Sequence, residues 1–509
     1  MKTHPIHICA VTLLAIISLV PLIISAQEPT IIQLIKADFQ RYDRRIGVDV
    51  QRLIGNVILK QDSTYLHCDS AYLYEATNSF DGFGNVWIKV SDSLNIYSTL
   101  LQYDGNTKLA ELHQNVRLVD KQSTLYTEHL WYDRNTRIAY YKTGGKIVDT
   151  ANVLTSTVGY YFTDQKRAYF RDDVKLVNPD YEMVTDTMLY HTNTEVSEFF
   201  GPTSIISEEN LIYCENGWYD TRNDIAQFSE NAYILTREQK LEGDSIYYDR
   251  NIDFGKALKN VILSDTVQEM VVYGQYGEFT RSEGFAFVTD SAVAVLIDRV
   301  DSLFLHSDSL FIYFDSTQQV QSMAGYYHAK FFRNDMQGMC DSLIYNFADS
   351  TIFLYKQPVL WSDENQLTAD SIRIAMANNQ VDTLALLGNA FIISMDDTIS
   401  RETFNQIKGK VMTGYFSANK LVKIVVIGNS ETVYYVREED GSLIGINLAY
   451  SSDMQISLRE NKIETITYIT MPDAQLYPYH EFPQEKQRLR DFIWLEPRRP
   501  KNKDDIFVW

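Results

Sequence analysis

An apolar residue followed seven positions later by an aromatic or aliphatic one recurs about every 29 residues in this chain, from roughly residue 55 to residue 470. A register kept at a fixed period indicates one supersecondary unit stacked on copies of itself, because a single unit cannot bury its apolar face alone. We therefore expect one long β-rich domain. The pairs are Leu66/Leu73, Ile96/Tyr103, Leu125/Tyr132, Leu154/Tyr161, Met183/Tyr190, Ile212/Tyr219, Leu241/Tyr248, Val272/Phe279, Leu305/Ile312 and Leu367/Ile374.

Each repeat divides into two strands that run in opposite directions. Residues 95–104 form an apolar-rich stretch, Gly105-Asn106-Thr107 supplies a turn, and residues 108–119 form a second stretch. Equivalent polar turns follow Asp133, Asp220 and Asp249. These signals predict an antiparallel meander.

Both strands of a repeat carry an interruption near the middle. In one of them an Asn or Asp breaks the alternation just before a small apolar residue. Such a slip in parity is typical of a β-bulge or a sharp bend. If the bends stack, the fold is all-β: an elongated, open β-jellyroll in which a creased antiparallel sheet forms a two-walled apolar trough. The breaks are Asn56-Val57, Asn85-Val86, Asn115-Val116, Asp173-Val174, Asn231-Ala232, Asn260-Val261 and Asn389-Ala390.

The composition fits a long laddered sheet with an acidic surface. There are 34 Tyr and 25 Phe but only 11 Pro, a residue that central strands exclude. The net charge of −21 argues against nucleic-acid binding. Acidic residues recur beside one column, and we interpret them as a solvated rim; calcium is the alternative, although no Asp-x-Asp-Gly loop is present. They are Asp69, Glu128, Asp186, Glu215, Asp244, Asp308, Asp341 and Asp370.

Three cysteines after the N-terminal segment support the repeat alignment. Cys68, Cys214 and Cys340 fall in one column, whose other occupants are small residues such as Ser98 and Ala369. Strands spaced about 4.8 Å apart would separate these thiols by ~20 Å or more, beyond the reach of a disulfide. We predict three unpaired thiols at the crease.

The two ends of the chain differ from the repeats. Residues 1–26 have the order of a secretory signal peptide, with Lys2, an apolar run from Ile8 to Ile24 and a small-residue exit; an uncleaved membrane anchor is the alternative. Residues 27–470 carry the repeats. Residues 471–509 hold five of the prolines and are interpreted as a capping or loosely packed tail, or as a docking segment for another protein or a membrane surface.

Motifs that carry chemistry are missing from the sequence. It has no GxSxG, HExxH, CxxC or GxxxxGK[ST] pattern, and the nine histidines occupy non-equivalent repeat positions. We interpret the histidines as surface residues. The sequence therefore predicts no enzyme activity, no cofactor and no metal site.

Several segments resemble the OstA/LptA family of organic-solvent-tolerance and lipopolysaccharide-transport proteins of Gram-negative bacteria. They are Gly55-Asn56-Val57-Ile58-Leu59, Leu66-His67-Cys68-Asp69-Ser70-Ala71, Gly84-Asn85-Val86-Trp87-Ile88 and Asp370-Ser371-Ile372, within a pattern covering most of residues 30–430. The resemblance implies a periplasmic β-jellyroll that holds lipid acyl chains. It also implies lipopolysaccharide or lipid A as ligand, and transport subunits of the inner and outer membranes or a second copy end to end as partners. The chain has more repeats than a minimal bridge protein of the family and lacks the outer-membrane barrel of its translocon member.

The hypothesis is an exported lipopolysaccharide-binding and transport protein, in the periplasm or at the outer membrane, that serves outer-membrane biogenesis. Alternatives are a carbohydrate-active β-solenoid enzyme and a structural or adhesin-like surface repeat protein. Residues of the opposite parity, such as Ile58 and Trp87, should face outward. The predicted trough-lining residues are Val57, Leu59, Leu66, Val86, Ile88, Ile96, Val116, Leu118, Leu125, Leu154, Val174 and Leu176.

Overall fold

The computed structural model describes residues 30–42, 47, 50–121, 123–208, 210–377, 380–396, 402–418, 420–438, 440–459 and 462–509. The predicted signal peptide, residues 1–26, lies outside the described residues. The described residues divide into two compact units: those up to residue 121, with 128–137, form the first, and those of 123–127 and 138–509 form the second. Among the described residues, no helix has the length and apolar character needed to span a membrane.

The first unit is built from antiparallel strands. Each traverse alternates buried and half-buried or exposed residues, as expected for a sheet with one face in a core. A short 3₁₀ helix at Glu75–Thr77 makes one of the turns. The strands are β1 (Gln33–Lys36), β2 (Phe39–Tyr42), β3 (Val50–Gln61), β4 (Thr64–Tyr74), β5 (Ser79–Lys89), β6 (Leu94–Asp104), β7 (Leu109–Asp120) and the later part of β8 (Ser123–Asp133).

The second unit continues with the same kind of strand. Some traverses are single bulged strands, and others break into two strands at the bend. The strands are β9 (Ile138–Tyr141), β10 (Gly145–Val148), β11 (Val153–Ser156), β12 (Val158–Phe162), β13 (Arg167–Val177), β14 (Tyr181–His191), β15 (Val196–Ser207), β16 (Leu211–Asp220), β17 (Ile225–Leu235), β18 (Gln239–Asp249), β19 (Phe254–Asp265), β20 (Met270–Thr280), β21 (Phe285–Thr289), β22 (Val293–Leu296), β23 (Leu303–His306), β24 (Ser309–Phe314), β25 (Val320–Arg333), β26 (Met336–Asn346), β27 (Thr351–Tyr355), β28 (Val359–Ser362), β29 (Asn365–Thr368), β30 (Ser371–Ala377), β31 (Gln380–Met395), β32 (Phe404–Ser417), β33 (Lys420–Arg437), β34 (Leu443–Arg459), β35 (Lys462–Ile469) and β36 (Asp473–Tyr477).

The pairing confirms the predicted antiparallel meander with a crease in every traverse. Strands β4 and β5 pair in register up to His67 and resume at Ser70, opposite a gap between Phe83 and Trp87. The same slip separates Phe200 from Thr203 in β15, where it pairs with β16. The sheet of each unit is thus bent along a line, which creates two walls.

The Gly-Asn-Val signature is explained by the backbone at the crease. Gly84 and Asn85 both have positive φ, +70° and +45°, so two successive residues adopt the left-handed conformation that favours Gly and Asn. A Cβ on Gly84 would lie 2.5 Å from the Asp69 carboxylate. The Asn85 side chain donates a hydrogen bond to that same carboxylate at 2.8 Å.

The acidic column therefore does more than solvate the surface. Six of its eight members are exposed, and Glu215 and Asp341 are half-buried. Several members accept a hydrogen bond from the bulge asparagine of the next strand. The carboxylate thereby fixes the side chain of a residue whose backbone conformation is sparsely populated. The further pairs are Asn56 with Asp38, Asn231 with Glu215, Asn260 with Asp244 and Asn389 with Asp370, at 2.7–3.1 Å.

The three predicted thiols are free and buried at the crease. Burial raises the pKa of Cys68 to about 11 and that of Cys214 to about 12. The pKa of Cys340 is also raised to about 12, mainly by burial. Unpaired, buried cysteines in one column confirm the repeat alignment on which the prediction rested.

The C-terminal segment, residues 478–509, packs against the second unit. The β register continues through β36 to Tyr477, beyond residue 470 where we expected it to stop, because Asp473–Tyr477 adds one more strand beside β34. Phe482 and Leu489 are buried on a wall's outer face, against Phe404 and Ile446. The segment is a packed cover, which fits the capping alternative of the prediction rather than the loosely packed one.

Candidate functional site

The predicted trough residues of the first unit are all buried. Their pairing brings Leu59, Leu66, Ile88, Ile96 and Leu118 into one continuous row on the inner face. Val57, Val86 and Val116 are buried closer to the crease, each about 1% exposed. The inner face is thus apolar as predicted, but its side chains are packed against protein.

A polar clasp joins the rims of the two walls in the first unit. Gln61 ends one wall, and Tyr103 lies near the end of the other; their side chains are hydrogen bonded. Arg134 donates to the Tyr103 hydroxyl at 2.6 Å and to the Gln61 side chain at 3.0 Å. Lys108 and Arg134 also pair with Asp62. These contacts close the trough in this unit.

The second unit has a different interior between residues 147 and 263. Leu125, Leu154 and Val174 are buried, but Leu176 is only half-buried, and it begins a row of half-buried residues along one wall. That row continues through successive strand pairs, with Met183 as its one fully buried member. Its half-buried members are Leu176, Ile205, Ile212, Ile234, Leu241 and Leu263.

The opposite wall carries half-buried aromatic residues on alternate strands. Tyr161, Tyr190, Tyr219 and Tyr248 alternate with small residues along this row. The first three of these tyrosines pack against the same core cluster as Ile205. The small residues leave space for the rings, because a neighbouring strand lies only about 4.8 Å away. The small positions are Ala168, Ser197, Ala226 and Gly255.

This part of the interior is filled at the crease and opens toward the strand ends. Phe199, Cys214 and Ile246 are fully buried at the crease. We define the open groove as the half-buried rows from Leu176 to Leu263 and from Tyr161 to Tyr248. It combines apolar walls with a deep apolar floor.

The open groove has a polar rim. The Tyr219 hydroxyl donates to Asp224 at 2.6 Å, and that of Tyr248 donates to Asp253 at 3.0 Å. Burial, followed by the bond to Asp224, raises the pKa of Tyr219 well above its usual value. Burial likewise raises the pKa of Tyr190. The phenols of Tyr190 and Tyr219 therefore stay neutral at physiological pH. The rim offers hydroxyl and carboxylate groups beside an apolar interior.

Beyond the open groove the interior closes again. Gln319 bonds to Glu238, and Gln268 donates to the Val320 carbonyl, so the rims of the two walls meet there. The interior that follows contains an enclosed apolar space of only about 10 Å³. That space is lined by Leu296, Leu303, Leu305, Met323, Phe331, Leu343, Tyr345 and Ile352.

A second opening, the C-terminal mouth, lies between the walls at the last strands. It is a groove of about 370 Å³, and Tyr468 reaches across it to Thr432 at 3.2 Å and to Asn447 at 2.9 Å. Strands β35 and β36, which border it, each pair with β34. The mouth is lined by Tyr434, Val436, Asn447, Ile463, Glu464, Thr465, Ile466, Tyr468 and Leu476.

The sequence analysis missed the residues of both openings beyond Leu176. Its candidates came from the first repeats, where the pattern is clearest. The same parity marks Ile205, Ile212 and Ile234 as inner residues, so the row could have been extended. The sequence does not show which stretch of the row is open, because that depends on long-range contacts such as those of Gln61 with Tyr103 and of Gln319 with Glu238.

Comparisons with known proteins agree with the family resemblance over part of the chain. LptH of Pseudomonas aeruginosa, the LptA-homologous periplasmic component of a lipopolysaccharide transport device, is similar at 12% identity and a TM-score of 0.20, over 23% of this chain and 82% of its own. No match was found among curated proteins. Residues 29–186 match the family described as OstA-like protein.

Proposed function

We propose that this protein is a periplasmic carrier that shields the acyl chains of lipopolysaccharide between the inner and outer membranes. The observation that carries the proposal is the open groove, where most residues of one apolar row and the tyrosines of the facing row are only half-buried. The OstA-like match of residues 29–186 supports the same role. The carrier acts by covering apolar surface and needs no chemical step.

A carrier of this kind must keep the apolar surface of the acyl chains out of water. Each Å² of acyl surface exposed to water costs about 25 cal/mol, so the apolar surface must stay covered during transfer. Leu176, Ile205 and Ile234 offer apolar surface that is already partly accessible. In the first unit, by contrast, the clasp around Gln61 would have to open before an acyl chain could enter.

The predicted lining residues therefore divide into two groups. Leu154, Val174 and Leu176 lie in or beside the open groove, and we propose that acyl chains contact this group first. The buried candidates of the first unit, such as Leu59 and Ile88, would contact lipid only after the walls part. From the sequence alone, both groups were predicted to line the trough in the same way.

Photo-crosslinking in cells tests the proposal. A photoreactive residue at Ile212 or Ile234 should capture lipopolysaccharide, whereas one at Tyr213 or Tyr233, which stack on the outer face, should capture little. Capture at the inner sites that exceeds capture at the outer sites several-fold would support the carrier. Equal capture from both faces, or none, would refute it.

We further propose that the C-terminal mouth is where another β-jellyroll docks, either a transport subunit or a second copy. A strand of the partner could pair with the edge of β35 or β36 and form main-chain hydrogen bonds with it. The apolar interior of this protein would then be continuous with that of the partner. Replacing Ile466 with Asp places a charge at the mouth and should abolish a crosslink to the partner. Capture of lipid at Ile212 should persist if only docking is lost.

A structural β-scaffold is the second candidate function. The packed interior of the first unit and the space of about 10 Å³ in the second favour it, because a scaffold needs no room between its walls. If the protein is a scaffold, a photoreactive residue at Ile212 should capture no lipid. Variants whose side chains fill the groove should then still support a normal cell envelope. Ile212→Trp tests this point, since it should impair a carrier and leave a scaffold active.

A further inference from the structure

Two histidines and one glutamate meet on the outer face of the first unit. Glu111 and His113 lie two residues apart on β7, so both point away from the core to which Ala110 and Leu112 contribute. His129 lies on β8 with the same outward parity, beside the buried Leu130. The fold thus brings together three side chains that the sequence separates by up to 18 residues.

The three donor atoms converge within metal-binding range. Nε2 of His129 is 2.9 Å from Oε1 of Glu111, and Nε2 of His113 is 3.5 Å from the same oxygen. All three ligand atoms lie within 4.8 Å of one another. Ligand atoms around one Zn²⁺ are about 3–4 Å apart, because each lies about 2.0–2.2 Å from the ion. The two nitrogen–oxygen distances, 2.9 Å and 3.5 Å, fit this requirement.

The surroundings hold the ligands in place. The rings of His113 and His129 stack at 4.1 Å between centroids, and Trp131 packs on His129 at 3.8 Å. The histidine side chains are 22–27% exposed, so the site is sheltered yet reachable from solvent. Limited rotamer freedom favours binding, because less side-chain entropy is lost when an ion is ligated.

We propose that Glu111, His113 and His129 form a site for a divalent transition-metal ion, with Zn²⁺ as the best-fitting ion. Two imidazoles and one carboxylate are the nitrogen and oxygen ligands that Zn²⁺ accepts in three-ligand sites. Ca²⁺ is disfavoured, since it requires six or more oxygen ligands and this site has one carboxylate. The bound ion would tie β7 to β8 on the outer face, independently of the lipid-carrying interior.

The chain offers two matched controls. His191 and Glu198 form a pair at the same 2.9 Å distance, but the described residues contain no third ligand grouped with them. His67 stacks on Trp87 at 4.6 Å, an aromatic contact comparable to that of His129 with Trp131. Neither histidine should contribute to Zn²⁺ affinity.

Calorimetric titration of the untagged, EDTA-treated protein with Zn²⁺ tests the site. Wild type should bind one equivalent, and His113→Ala, His129→Ala or Glu111→Gln should weaken binding at least tenfold, while His191→Ala and His67→Ala leave it unchanged. Circular dichroism of each variant without metal checks that the β-structure is intact, and Glu111→Gln is the mildest change. Binding below one equivalent in wild type, or equal losses in the controls, would overturn the assignment.

Discussion

Leu495 donates its backbone N–H to the side-chain oxygen of Gln366, 2.6 Å away and 129 residues earlier in the chain. The amide nitrogen of the same glutamine donates to the Ile493 carbonyl at 2.7 Å. Gln406 makes the same pair of bonds to Leu489 and to the Gln487 carbonyl, each at 2.8 Å. A primary amide thus bonds the backbone of residues i and i+2, as a neighbouring strand would. These glutamines fix the position of the C-terminal segment on the outer face.

Replacing Gln366 with Ala should loosen the C-terminal segment. The change leaves the Leu495 N–H and the Ile493 carbonyl without this partner, and each unsatisfied, partly buried group costs about 1–3 kcal/mol. Trypsin should then cleave after Arg490 or Arg498 markedly faster than in wild type. Gln380→Ala, at an exposed position in the same unit, is the control and should leave the cleavage rate unchanged. Equal rates in Gln366→Ala and wild type would contradict this role.

Ending the chain after Tyr477 should expose a large apolar surface on the second unit. Phe391, Phe404, Tyr435 and Ile446 are at most 4% exposed while the segment covers them. Exposed apolar patches of this kind promote association. We expect stronger binding of a hydrophobic dye and concentration-dependent aggregation. Unchanged dye binding would show that the segment is dispensable as a cover.

Gly388→Ala should destabilise the second unit more than Gly441→Ala. Both glycines have positive φ, +76° and +86°, so both substitutions carry a strain of about 1 kcal/mol. A Cβ on Gly388 would also collide with Asp370, whereas a Cβ on Gly441 meets nothing within 4 Å. Denaturant midpoints of the two variants measure the difference. Adding Asp370→Ala to Gly388→Ala should cost less than the sum of the single changes.

The stability of the protein should fall as pH rises above about 9. The pKa of the Cys214 thiol is raised to about 12 by burial, against 9.0 for an unperturbed thiol. Between these values the unfolded chain loses a proton that the folded chain retains, so alkali favours unfolding. Cys68 and Cys340 act in the same direction. Urea midpoints at pH 8 and pH 10.5 measure the fall, and it should be smaller when all three cysteines are replaced with Ala.

The repeat, the meander and the crease could be predicted because their signals are local. Asn85 before Val86 marks a bulge, and Cys68 aligned with Cys214 fixes the register. The clasp of Gln61 with Tyr103 could not be predicted, since its partners are 42 residues apart on different walls. Such long-range contacts decide which stretch of trough is open.

The cluster of His113 and His129 escaped the sequence analysis for a related reason. The repeat alignment places the histidines at non-equivalent positions, which makes them look scattered. Antiparallel traverses reverse direction, however, so residues from different columns can become neighbours. The outward parity of Glu111 and His113, followed by a histidine on the next strand, was the available signal.

The alternation of Tyr and small residues along the inner row limits which changes in chain length the fold can accept during evolution. Tyr190 and Tyr219 each extend over a neighbour that is Ser197 or Ala226, so inserting or deleting one strand would place two rings side by side. Duplicating a whole repeat of about 29 residues keeps every ring over a small neighbour. Gene duplications in whole repeats are therefore the changes in length that selection can readily accept.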